Sequence, residues 1–150
     1  MSISQKNAWI QLAIFSALVV CWVILFSING SIFYWQDDNF KMTFYWSCAA
    51  AFASLVIMNI TTGIIQSRKK EIVDERDKSI QRKASLWATG VSYSVVAVLL
   101  LVLSIVYMNE NSDAIPVYFP LFIVIVGGVV LLLTQAITAV LLYGRKVNYG

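Results

Sequence analysis

The chain has no histidine, two cysteines, two prolines and, over 150 residues, only 13 % charged side chains. Each shortage narrows the function. Without His there is no imidazole base for a serine or cysteine hydrolase, and no His ligand for a transition metal. The cysteines, Cys21 and Cys48, form no Cys-x-x-Cys pair, the motif that exposed dithiol oxidoreductases use. No glycine-rich phosphate loop is present. Charge is scarcest of all. A soluble domain carries about 25 % charged residues, and this chain lacks the polar surface to cover itself in water.

What fills the sequence instead is apolar: 59 % hydrophobic residues and a mean hydropathy of +0.76. Residues 7–36, 42–67, 84–109 and 114–144 contain no charged residue. A helix needs roughly 20 apolar residues to cross the hydrocarbon, and all four windows exceed that. Strands of a barrel would alternate apolar and polar positions, which these runs do not. The expected fold is therefore all-α, a four-helix transmembrane bundle of two antiparallel hairpins, in a single membrane domain over 1–150. The spans are expected near 8–28, 43–65, 84–107 and 117–143. The first is read as a retained span. It is longer than the apolar core of a signal peptide, follows a single Lys, and has no convincing small-residue cleavage site.

Lys and Arg set the orientation. Lys6, the seven cations of 68–83, Arg145 and Lys146 lie on one side, against Lys41 alone on the other. This asymmetry places both termini and the central segment, 66–83, in the cytoplasm. Trp9, Trp87 and Tyr143 would then lie at the inner interface, and Trp35, Trp46, Tyr107 and Tyr118 at the outer one. In the first outer connection Phe33, Tyr34, Trp35 and Phe40 are expected against headgroups. Pro116 and Pro120 frame the start of the fourth span, where a first helical turn tolerates proline. An offset of 77 residues aligns Lys6 with Lys83, Ser27 with Ser104, Thr61 with Thr138, and Arg68-Lys69 with Arg145-Lys146, which hints at a duplicated hairpin.

The charge is concentrated in the middle. "QSRKK" puts three cations at a helix end, where the macrodipole favours them. After a break near Ile72-Val73, Asp74 can cap a third helix whose first turn holds Glu75 and Asp77. Ile80, Ala84 and Trp87 are expected on one face. Arg68, Lys69, Lys70, Asp74, Glu75, Arg76, Asp77, Lys78, Arg82 and Lys83 together form a candidate surface for a cytoplasmic protein partner or for anionic lipid. The four carboxylates of 71–77 lack the glycine and the ligand spacing of a calcium loop, so no metal is expected.

"DERDKSIQRKAS", with the opening "KNAWIQLAIFSALVV", resembles an uncharacterised family of small four-pass bacterial inner-membrane proteins with a D-E-R-D-x-x-I-x-x-(K/R)-A signature in their cytoplasmic loop. The likeness is loose in the spans and specific at 74–84; the outer connections depart from it. It implies a bacterial inner-membrane location and genes that neighbour small helix-turn-helix regulators. It brings no catalytic residue.

No Asp, Glu, Lys or Arg lies within the four spans, which argues against a proton-coupled exporter with a membrane-embedded acid. The intramembrane polar candidates are Asn59, Thr61 and Thr62 on the second span and Thr134, Gln135 and Thr138 on the fourth. Asn59 and Gln135 lie at matching depth, so a polar cluster of Asn59, Thr62, Gln135 and Thr138 could join the helices, helped by Ser92 or Ser94, or could line a small passive pore. Ala49, Ala50, Ala51, Ala53 and Gly127-Gly128 mark close contacts, inside the bundle or in a homodimer. Cys21 and Cys48 also match in depth and read as apolar fillers. The sequence points to a non-enzymatic protein without cofactor, whose partners are the lipid bilayer, a second copy or a cytoplasmic protein, and not nucleic acid.

Overall fold

The computed structural model describes residues 2–29, 38–69, 75–109 and 118–144. They form four helices and, among the described residues, no strand: α1 (Ile3–Asn29), α2 (Asp38–Lys69), α3 (Glu75–Asn109) and α4 (Tyr118–Gly144). All four are long and apolar enough to cross a membrane. Even the 27-residue helices reach about 40 Å, against a hydrocarbon thickness of roughly 30 Å. In the most apolar window of α1 to α4 only 17, 11, 6 and 22 % is buried inside the protein. The remaining apolar surface would be untenable in water and is matched by lipid. This is a multi-pass membrane protein.

Helix starts follow local chemistry. Ser2 caps α1, its Oγ accepting from the Gln5 backbone N–H at 3.2 Å. Ser-x-x-Gln is the spacing of a capping box, and it starts α1 five residues before the expected apolar core. α3 begins at Glu75 with Glu75 and Asp77 in its first turn, where carboxylates favour the helix dipole. Pro120 lies in the first turn of α4, where the missing N–H costs no helical bond.

The chain divides into two compact units, Met1–Asp74 and Glu75–Gly150, each one hairpin. In the first, paired residues run antiparallel along α1 and α2. Asn7 meets Thr62, Phe15 meets Phe52, Trp22 meets Ser47 and Phe26 meets Phe40. Phe15 and Phe44 have no exposed surface, and Phe44 stacks on Trp22 at 4.9 Å. The indole N–H of Trp22 donates to Ser47 Oγ at 3.2 Å, and Ser47 donates to the Phe44 carbonyl at 2.7 Å. Every polar atom of that chain is thus satisfied away from water. Phe40 is 2 % exposed and packs against Phe26 at 5.6 Å. It belongs to this seam and not to the headgroups, because α2 begins early enough to carry it inside. Phe33, Tyr34 and Trp35 lie outside the described residues.

In the second unit α3 buries Ile80, Ala84, Ala88 and Ser92, spaced every four residues. Trp87, expected on this face, is 68 % exposed and points elsewhere. Ser92 Oγ donates to the Gly127 carbonyl of α4 at 2.9 Å. A Cβ built on Gly127 would stand 2.5 Å from Val96 Cγ2, so glycine is what admits the neighbouring helix. The pair is antiparallel. A parallel pair in contact at Ser92 and Gly127 would need the eight residues between α3 and α4 to span about 39 Å, beyond their reach of roughly 32 Å.

Ser27 and Ser104, which correspond at the 77-residue offset, both donate to the carbonyl four residues back, but helix lengths differ: 27 residues in α1 against 35 in α3, and 32 in α2 against 27 in α4. The seams do not agree. Phe44 is wholly buried, whereas its counterpart Leu121 is 46 % exposed.

Candidate functional site

The charged surface begins where α2 ends. Arg68 and Lys69 are in the last turn of α2 by backbone, with side chains outside the described residues. Lys70 and Asp74 also lie outside them. The rest are ordered on α3, which runs as helix for nine residues before the apolar stretch at Ala84. Glu75, Arg76, Lys78, Arg82 and Lys83 are exposed and Asp77 is half-buried. Much of 66–83 is therefore helix rather than loop. Ile80 and Ala84 hold one side of this extension inside, at 7 and 0 % exposure, and turn the charges outward.

The charges divide by face. At 3.6 residues per turn, Lys78 and Arg82 stand one above the other, with Glu75 alongside. Arg76 and Lys83, seven residues apart, share another side, which continues through Trp87 and Gly90 to Ser94.

The intramembrane polar residues separate between the units. Thr62 lies in the first seam, its Oγ 2.8 Å from the Met58 carbonyl and 3.1 Å from Asn7 Oδ1. One hydroxyl proton serves the two acceptors, and Asn7, absent from the residues expected to form a polar cluster, is the partner of Thr62. Asn59 is exposed on α2. Gln135 and Thr138 are half-buried on α4. Of the two serines considered on α3, Ser92 does bond a neighbouring helix, whereas Ser94 turns back to the Gly90 carbonyl at 2.9 Å. Ser27, Thr43, Ser54, Thr61, Thr89 and Ser104 also donate to the carbonyl four residues before. A hydroxyl bonded to its own helix can face lipid at little cost.

Among the expected close-contact residues, Ala51 and Gly127 are buried, while Ala49, Ala50 and Ala53 are exposed. Cys21 is exposed and Cys48 buried beside Phe44 and Ala51 on one face, and both are free thiols. Trp9, Trp46 and Trp87 are 49, 68 and 68 % exposed, as interfacial residues would be. Among the described residues no three His, Cys, Asp or Glu side chains gather into a group that could hold a metal. Comparison with models of protein families, with characterised proteins and with solved structures finds no match.

Proposed function

We propose that this protein is a non-enzymatic interaction protein of a bacterial inner membrane, with both termini cytoplasmic, that docks a cytoplasmic protein through residues 66–83. The observation that carries the reading is the helical charged extension of α3. Helix formation fixes the directions in which the side chains of Glu75 to Lys83 leave the backbone, along about 12 Å of axis before the apolar span begins. A preordered surface loses less entropy on binding than a flexible one.

Charge adds a second support. Lys78 and Arg82 are one turn apart and alike in sign, which costs an isolated helix about 0.2–0.5 kcal/mol. Glu75 beside Lys78 offsets part of that cost, and an acidic partner seated at Arg82 would offset the rest. The excess of Lys and Arg in this segment agrees with a cytoplasmic placement.

The test reverses Arg76, Lys78 and Arg82 to Glu and recovers the full-length protein from native membranes with whatever it holds. A partner that co-purifies with the wild type should be lost at least tenfold from the variant at equal protein yield. Equal recovery would reject the docking role.

A further inference from the structure

We infer that α3 carries a binding site for one anionic phospholipid, with its phosphate at Lys83 and an acyl chain in the groove between Trp87 and Val95. The groove is a shallow, open depression of about 530 Å³ along α3, lined by Leu86, Trp87, Gly90, Val91, Ser94 and Val95. Its floor is Gly90, where an added Cβ would meet nothing within 4 Å. The Ser94 hydroxyl is spent on the Gly90 carbonyl, so the floor asks for no polar ligand group. The walls are apolar, and Trp87 stands 68 % exposed at one end. These features suit a hydrocarbon chain.

The charged end identifies the lipid class. Lys83 is exposed one turn, about 6 Å, before Trp87, and exposed Arg76 lies seven residues earlier on the same side. Lys83 immediately precedes the apolar span, at the depth of phosphates, and an indole one turn deeper sits at the level of the ester groups. A cation, an interfacial ring and an apolar groove follow one another in the order of an anionic phospholipid.

A second copy fits less well. Two copies with the same membrane topology pair about an axis normal to the bilayer, so their α3 helices meet in parallel. That arrangement would set Lys83 against Lys83 and Arg76 against Arg76.

The experiment uses purified full-length protein in lipid nanodiscs, without any protein partner. The five tryptophans are resolved by comparison with Trp87→Phe, which isolates the Trp87 emission. Phosphatidylglycerol and phosphatidylcholine with brominated chains are compared as quenchers at equal mole fraction. Brominated phosphatidylglycerol should quench Trp87 several-fold more strongly, and Lys83→Gln should lower that preference about fivefold. Gly90→Leu, which has open space for its side chain, should reduce quenching by either lipid. Equal quenching by the two lipids, or a preference that survives Lys83→Gln, would overturn the site. So would a quantitative disulfide dimer of Gly90→Cys in the same discs, which would assign the groove to a second copy. Protein docking is read with the Arg76, Lys78 and Arg82 reversals, so either proposal can fail alone.

Discussion

Where α1 meets α2 the chain supplies Phe15, Trp22, Phe26, Phe40, Phe44 and Phe52; where α3 meets α4 it supplies Ala84, Ala88, Ser92 and Gly127. The two hairpins are both antiparallel pairs of long apolar helices but do not share the means of closure. In lipid a phenyl ring gains little by leaving hydrocarbon for protein, so the first seam rests on dispersion and ring geometry, with each aromatic pair worth about 0.5–1.5 kcal/mol. The second rests on proximity. Small residues let the backbones of α3 and α4 lie closer over more of their length than those of α1 and α2. Bulk therefore matters in opposite directions: removing it should hurt the first hairpin, and adding it should hurt the second.

Phe44→Ala should give the largest effect. The transfer part of the usual cost disappears in lipid, and the cavity part remains, at about 2–3 kcal/mol. Reversible unfolding in mixed micelles would measure it, with loss of Trp22 fluorescence anisotropy reporting the broken stack. Gly127→Ala should follow at about 1–2 kcal/mol, because its Cβ must displace Val96, whose β-branched side chain is stiff in a helix. Gly128→Ala is the control beside it. Nothing lies within 4 Å of its Cβ, so the better helix former should be neutral or stabilising by up to about 1 kcal/mol. If the two alanines behave alike, close approach does not hold the second hairpin. Ser92→Ala should cost less than Phe44→Ala or Gly127→Ala, about 0.6 kcal/mol, the typical worth of one interhelical hydrogen bond in a membrane.

The sequence disclosed some of this and hid the rest for physical reasons. Span positions were readable because uncharged runs of that length have few alternatives to a membrane helix. The start of α3 was readable from Glu75 and Asp77, whose charges suit a first turn. Which face of each helix is buried was not readable. A helix apolar all round gives no amphipathic stripe, so nothing separated Phe44 from Trp46, or buried Ala51 from exposed Ala50. The same lack of contrast concealed Phe40 and Trp22 in the first seam and detached Trp87 from Ile80 and Ala84. Gly127 was signalled as a close contact, and its partner Val96 was not. Asn7 lay beside Gln5 and Lys6, just before the expected first span, where it read as part of the polar end of the helix rather than as a partner for Thr62. Of the charged surface, the residues and the helix that bears them were legible, while the groove beside Lys83 needed the placement of Trp87 and Gly90.

Both proposals need the charged start of α3 and the carboxyl end on the same, cytoplasmic side of the membrane. Single cysteines at Ser79 and after Gly150, in a variant lacking Cys21 and Cys48, can be probed in intact cells with a membrane-impermeant maleimide. Neither should label until the inner membrane is opened, after which both should label fully. Labelling of either one in sealed cells would contradict the topology and remove the inward-facing docking surface with it.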